Sequence, residues 1–446
     1  MLENLDSLGY TAMTPIQAKS LPFILEGRDL IARAKTGSGK TAAFGIGLLE
    51  KLDVAKFSIQ AAVLCPTREL ADQVAKELRR LARGTHNIKI LTLSGGVPLG
   101  PQRHSLEHGA HIIVGTPGRI QDHLGKGTLA LDDLNMLVLD EADRMLDMGF
   151  YDAIIKIVSN IPKKRQTLLF SATFPKNIEA IAKDVMQNPV SVMPEESRVE
   201  KKIEQLYIPV GRSLEEKIEK SAILLHHLRP SLAILFCNTK LSVDECAREL
   251  CKKGIHAKGL HGDLEQSDRT ETLVLFSNGS IPVLVATDVA ARGLDINDMD
   301  LVVNIDLPHD PEVYMHRIGR TGRAGKKGRA VTLLSPYDAK KRSAIETYQK
   351  AMLQPFELPE KITEKTLEPR MQTLCIFGGK KEKLRPRDIL GALIKDAKIK
   401  GEHIGKIDIF GFYSYVAIER SQIDEVIRWF ERGKIKKRSY KTKICR

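Results

Sequence analysis

Ala34-Lys35-Thr36-Gly37-Ser38-Gly39-Lys40-Thr41 follows the apolar run Leu30-Ile31-Ala32. Two glycines one residue apart let a backbone curl until successive N–H groups point at phosphate oxygens. Lys40 then reaches the outer phosphates, and the Thr41 hydroxyl reaches Mg2+. The first position of the usual pattern is Ala34 rather than glycine, so the loop alone also fits a plain glycine-rich turn. Asp140-Glu141-Ala142-Asp143 follows a second apolar run, Met136–Leu139. Acidic groups at the C-terminal edge of a parallel strand sit where such sheets bind ligands. There Asp140 would hold Mg2+, and Glu141 would orient and deprotonate an attacking water. Alone the tetrad fits a solvated acidic turn; joined to the glycine loop it argues for nucleotide hydrolysis. Ser171-Ala172-Thr173 ends a further apolar run, and its hydroxyls could hydrogen-bond the acidic cluster. In His316-Arg317-Ile318-Gly319-Arg320-Thr321-Gly322-Arg323, arginines three apart among small residues would stabilise charge on a transferring phosphoryl group. The competing reading is a basic surface loop.

These residues need a scaffold. Short runs that are apolar on consecutive positions predict strands buried on both faces: Ala61–Cys65, Lys89–Leu93, His111–Val114, Met136–Leu139 and Thr167–Phe170. Helical patterns such as Glu69–Arg83 separate them, which predicts an α/β domain with crossover helices. The segment 194–204 is polar and reads as a linker. The rhythm restarts with Leu232–Phe236, Val283–Ala286, Leu301–Ile305 and Ala330–Leu334. A charged, proline-containing stretch then precedes a third unit whose order reads β-α-β-β-α-β, the arrangement of RNA-recognition modules. The expected domains are 1–200, 201–356 and 372–446, with a linker at 357–371.

Net charge is +13, and 19 Lys/Arg against 9 Asp/Glu in residues 371–446 supply +10 of it. Such asymmetry suggests an anionic partner, nucleic acid or membrane surface. No apolar run approaches the ~20 residues of a membrane span, and the first residues lack the pattern of a signal peptide. The six cysteines form no disulfide framework. A cytoplasmic protein, monomeric in solution, is expected.

Across roughly the first 350 residues the chain resembles the DEAD-box RNA helicases. The resemblance rests on an ordered series. Gly9-Tyr10 and Thr14-Pro15-Ile16-Gln17 resemble the adenine-reading Q motif. Pro66-Thr67-Arg68-Glu69-Leu70-Ala71, Gly95-Gly96 and Thr116-Pro117-Gly118-Arg119 resemble the RNA-contacting motifs of a first lobe. In the second lobe, Phe236-Cys237-Asn238-Thr239, Gln266 with Arg269, Ala286–Asp295 and His316–Arg323 match in order. One departure is visible: the aromatic usually about seventeen positions before Gln17 has no room after Met1. Either the start is truncated or adenine stacking is weaker. The resemblance implies two RecA-like P-loop NTPase lobes and an RRM-like α+β domain. ATP would be held by Thr14, Gln17, residues 34–41, Gly293 and Asp295. Lys40, Asp140, Glu141, Asp143, Ser171, Thr173, His316, Arg320 and Arg323 would carry catalysis. RNA would meet Thr67, Arg68, Gly95, Gly96, Thr116, Pro117, Arg119, Asn238, Thr239, Gln266, Arg269 and Thr287.

The third unit resembles the C-terminal domain of family members that serve large-subunit ribosome assembly. Thr373–Lys381, Leu384-Arg385-Pro386, Gly391-Ala392-Leu393, Ile404–Ile407 and Gly433–Lys436 carry it. It implies recognition of a 23S rRNA hairpin. The first-strand stacking aromatic of an ordinary module falls at Cys375. Tyr413 and Tyr415 remain as stacking platforms, beside the basic run Lys380, Lys381, Lys383, Arg385 and Arg387. Two other classes compete: a general RNA helicase of mRNA decay or cold adaptation, and a non-catalytic RNA chaperone.

Overall fold

A computed structural model of the chain describes residues 2–34, 37–173, 176–193, 203–291, 299–322, 328–359 and 367–445. Five expected site residues, Lys35, Thr36, Gly293, Asp295 and Arg323, lie outside the described residues. The chain forms two compact units, one built before residue 200 and one after it. Among the described residues no helix is long and apolar enough to cross a membrane.

The first unit holds strands β1 (Leu30–Arg33), β2 (Ala61–Leu64), β3 (Ile90–Leu93), β4 (Ile112–Gly115), β5 (Met136–Asp140), β6 (Gln166–Ser171) and β7 (Val190–Val192). They make one parallel sheet in the order β3-β4-β2-β5-β6-β1-β7. Alternate residues point to opposite faces. Val63, Val114, Val138 and Phe170 therefore enter one apolar layer, while Leu64, Ile113, Leu137 and Leu169 enter the other. Two covered faces are why these strands read as unbroken apolar runs. Helix Lys40–Glu50 packs closely on its neighbour: a Cβ on Gly47 would lie 2.2 Å from Ile24 Cγ2. Gly47→Val should therefore cost about 1–3 kcal/mol, read as a lowered midpoint in denaturant unfolding.

The second unit holds β8 (Ile203–Pro209), β9 (Ala233–Phe236), β10 (Ala257–Leu260), β11 (Val283–Ala286), β12 (Leu301–Asn304), β13 (Gly328–Leu334) and β14 (Gln354–Pro355), ordered β10-β11-β9-β12-β13-β8-β14. Strand β1 was expected only as an apolar run, and strands β7, β8, β10 and β14 were not foreseen. β8 is half exposed and begins inside the expected polar linker, and Lys258-Gly259 interrupts the apolar pattern of β10. The stretch expected as a linker at 357–371 is also partly structural. Phe356 and Leu358 pack against this core, Leu367 is buried in it, and Leu367 N–H donates to Gly254 O at 3.1 Å.

The third sheet comprises β15 (Met371–Ile376), β16 (Ile404–Ile409), β17 (Ser414–Glu419) and β18 (Thr442–Ile444), in the antiparallel order β16-β17-β15-β18. Helices Pro386–Lys395 and Ile423–Arg432 cover one face through Ile389, Leu393, Val426 and Phe430. The middle of the other face is covered too, while Lys443, opposite Cys375, stays exposed at its edge. Cys375, Tyr415 and Cys445 share an apolar cluster with Val274, Leu275 and Ile281 of the second lobe. Thr373 Oγ1 accepts from Asn278 Nδ2 at 3.2 Å and lies 2.7 Å from Ser280 Oγ. Two expectations change. The C-terminal domain is docked on the second lobe rather than separate from it. Tyr415, 5% exposed, offers no stacking face. Period-two alternation shows that a strand has two faces, not what covers the second.

Candidate functional site

The strand order sorts the expected site residues. Along the C-terminal edge of the first sheet, Gly95-Gly96 follows β3, Thr116 follows β4 and Thr67 follows β2. Asp140 ends β5, Ser171 ends β6, and the glycine loop follows β1. Expected RNA residues occupy one half of the edge and expected ATP residues the other. The second sheet repeats the first half: Gln266 follows β10, Thr287 follows β11 and Asn238-Thr239 follows β9.

Gly37 and Gly39 have φ of +80° and +91°, which side chains disfavour. Gly39 caps helix Lys40–Glu50, so the amide-rich helix start opens onto the loop. Gln17 is 4% exposed and ties the loop down: its Nε2 donates to Gly39 O at 3.0 Å, and its Oε1 accepts from Thr14 N at 2.9 Å. A Cβ on Gly39 would stand 2.6 Å from Gln17 Nε2. The buried hydroxyls of Thr14 and Ser38 find no partner among the described residues, as groups awaiting a polar ligand would.

Lys40 Nζ lies 2.6 Å from Asp140 Oδ1 and 3.6 Å from Glu141 Oε1, all three side chains being buried. Burial disfavours the Lys40 ammonium, but the two carboxylates outweigh it and hold its pKa above the usual value. Burial raises Asp140, against the pull of Lys40. Glu141 adopts φ +55°, unusual for a residue with a side chain. Asp143 joins two strand ends: Oδ2 accepts from Ala172 N, Thr173 N and Thr173 Oγ1 at 3.2, 3.1 and 3.0 Å. Ser171 Oγ instead donates to Thr173 O at 2.6 Å. The oxygens of Thr41 and Asp140 are the donor type a hard divalent cation takes, so these residues fit Mg2+.

Thr67 is buried and caps helix Arg68–Leu81 by accepting from Leu70 N at 3.3 Å. Arg68 Nη1 donates to Gly96 O at 3.4 Å, and both Arg119 Nη atoms donate to Val97 O at 3.0 Å. Thr116 stands at the N-terminal boundary of the helix begun by Pro117, without a side-chain capping bond. In the second lobe, Thr239 caps helix Lys240–Lys252, Arg269 Nη2 donates to Ala290 O at 3.0 Å, and Thr287 Oγ1 accepts from Ala290 N at 3.4 Å. His316 is half-buried and Arg320 buried. On the third domain Lys380, Lys381, Lys383, Arg385 and Arg387 are all exposed, and Tyr413 is partly so.

Sequence reasoning missed several residues. Arg144 Nη1 holds Glu141 Oε2 at 2.6 Å, both buried. The signal was adjacency: three residues on in a helix is one turn. Arg317, 2% exposed, grips Asp288 at 2.6 and 2.7 Å and donates to Asn238 Oδ1 at 3.0 Å. Its arginine neighbours drew the attention, and nothing in the spacing distinguishes the buried one. Phe377 and Phe412, 54% and 61% exposed, stand beside the basic loop, with Lys381 Nζ 5.2 Å over the Phe412 ring.

Residues 14–181 match the DEAD/DEAH box helicase family, residues 216–325 the helicase conserved C-terminal domain, and residues 373–444 the DbpA RNA binding domain. The chain is 50% identical over 445 residues to ATP-dependent RNA helicase DbpA of Escherichia coli, covering 100% of this chain and 97% of the relative. It is 43% identical over 416 residues to ATP-dependent RNA helicase CshA of Listeria monocytogenes, covering 89% and 78%. Among solved structures, S. cerevisiae Dbp5 bound to RNA and ADP BeF3 is similar with a TM-score of 0.72 and 32% identity, over 80% of this chain and 92% of that one. With two RecA-like lobes, a nucleotide-type edge and a third domain matched to an RNA-binding model, the chain belongs to the DEAD-box family of ATP-dependent RNA helicases, RNA-stimulated ATPases, and to its DbpA type.

Proposed function

We propose that this helicase acts in the cytoplasm, as a monomer, on 23S rRNA within precursors of the large ribosomal subunit. The observation that carries the reading is the end of the third domain. Lys380 and Lys381 donate backbone N–H groups to Phe410 O and Gly411 O at 2.8 and 3.0 Å, which folds the basic loop against the segment bearing Phe412 and Tyr413. Exposed rings beside five exposed cations suit unpaired bases and their phosphates. Docking buries Cys375 and Tyr415 at the middle of the sheet face, which favours this end as the recognition surface.

In the core, Lys40 binds the outer phosphates, and Thr41 and Asp140 hold Mg2+, which when bound neutralises phosphate charge. Arg144 orients Glu141, and Glu141 takes the proton of the attacking water. Thr67, Arg68, Gly95, Gly96, Thr116, Arg119, Asn238, Gln266, Arg269 and Thr287 meet the RNA backbone, so the core has little base preference. Arg320 and Arg323 act when the lobes close on RNA, which couples RNA binding to hydrolysis. The similar Dbp5 structure is bound to RNA and ADP BeF3 together, which supports joint binding of RNA and nucleotide. ATPase measured against a panel of RNAs tests the target. A large-subunit hairpin fragment should stimulate at a concentration at least about ten-fold below unrelated RNAs. Equal stimulation by all would favour a general helicase, and no phosphate release a non-catalytic chaperone.

A further inference from the structure

The segment Ser94–Val97 leaves the end of β3 with three carbonyls accepting from side chains of neighbouring helices. Gln102 Nε2 donates to Ser94 O at 3.0 Å, Arg68 to Gly96 O at 3.4 Å, and Arg119 to Val97 O at 3.0 Å. In a planar trans peptide the C=O and the next N–H point in opposite directions. Drawing in the carbonyls of Ser94 and Gly96 therefore turns the N–H groups of Gly95 and Val97 outward. Neither donates to another residue among the described residues. Outward N–H groups in a turn form an anion-binding concavity.

Gln102 differs from the two arginines. It is 8% exposed, uncharged and sits on helix Leu99–Glu107. Its Oε1 lies 3.2 Å from His123 Nε2. Ser94 O can only accept, so the Gln102 amide must present its NH2 there and its oxygen to His123. His123 therefore carries its proton on Nε2. Its Nδ1 is left as an acceptor 2.8 Å from Thr128 Oγ1, whose one proton also has His123 O within reach at 3.2 Å. From the ring outward the chain runs one way: His123 to Gln102, Gln102 to Ser94. His123 is fully buried, one turn after Arg119 on helix Pro117–Gly125. Burial, with Arg119 adding, holds its pKa below the ordinary histidine value, which favours the neutral ring.

We infer that His123 is a positioning residue for RNA binding: through Gln102 it aims the Gly95 and Val97 N–H groups at a nucleic-acid phosphate and locks that loop to the Thr116–Arg119 helix start. It touches no substrate. The inference rests on the reading above that Gly95-Gly96 and Arg119 meet RNA.

The test is RNA-stimulated ATPase of the full-length chain, titrated with a structured RNA. His123→Leu should raise the RNA concentration for half-maximal stimulation about ten-fold, the equivalent of one lost hydrogen bond, with kcat at saturating RNA changed less than about two-fold. His123→Gln, whose amide N–H replaces the ring Nε2–H, should recover most of that loss. Gln102→Leu should match His123→Leu, and the double variant should be no worse than either. A fall in kcat without a shift in half-saturating RNA, or no rescue by His123→Gln, overturns the inference as a packing effect. If His123→Leu does not fold, Gln102→Leu carries the same expected shift and decides alone. Arg119→Ala separates the two readings. If it leaves half-saturating RNA unchanged, the RNA-contact reading falls, and the inference with it. If it raises that value while His123→Leu and Gln102→Leu do not, only the inference falls.

Discussion

Glu141→Gln keeps ATP binding and loses about a hundred- to ten-thousand-fold of RNA-stimulated turnover, the span expected for removing a positioned base. The amide is isosteric, so its oxygen can still accept from Arg144, which reaches Glu141 Oε2 at 2.6 Å. Lys40 remains tied to Asp140, 2.6 Å away, so the phosphate-binding charge survives. What disappears is a basic oxygen able to take a proton from water. Titration with a fluorescent nucleotide and a phosphate-release assay on the same protein measure the two halves. Undiminished release would mean that another group takes the proton, and the acidic cluster would then be a structural brace for Lys40.

The second large effect lies at the other end of the chain. Lys380, Lys381, Lys383 and Arg385 replaced together by alanine should lower affinity for 23S rRNA fragments about a hundred-fold or more at moderate salt. The slope of log affinity against log salt should flatten by about 3, near 0.7–0.9 for each phosphate no longer neutralised. Basal binding of RNA by the core should remain. Deleting 371–446 is a blunter experiment, because it uncovers Val274, Leu275 and Ile281, which the third domain buries. A loss after deletion would have two causes. The four-residue change leaves Cys375, Tyr415 and Cys445 in place and has one. An unchanged salt slope would move the recognition surface away from this loop.

Much of the fold was legible because buried parallel strands are apolar at every position. β2, β4, β5 and β6 sit within a residue or two of where their apolar runs placed them. Strands with one wet face were not legible in the same way. β8 mixes buried and exposed positions, and β10 carries Lys258 and Gly259 between two apolar ends. Their pairing comes from neighbours far along the chain, such as Ile203 beside Gly328 and Ala257 beside Val283. Site residues with special chemistry at special spacing were legible: Lys40 after its glycines, Asp140 and Glu141 after an apolar strand. Residues that act by being buried were not. Arg144, Arg317 and His123 look in sequence like any surface arginine or histidine.

By itself the sequence determined the chemistry on offer, because phosphate loops, paired carboxylates and arginine runs are local in spacing. It also determined that most of the positive charge lies in the last sixth of the chain. Only the tertiary structure decided the division of labour along each sheet. The order β3-β4-β2-β5-β6-β1-β7 is not the chain order, and it gathers Thr67, Gly95 and Thr116 on one side and Lys40, Asp140 and Ser171 on the other. The tertiary structure also decided which face of the third domain stays open. Thr373, Cys375, Tyr415 and Cys445 alternate with core residues as any outward face would. Packing against Val274, Leu275 and Ile281 covers the middle of that face, and leaves Lys380, Lys381, Phe412 and Tyr413 exposed at the loop end.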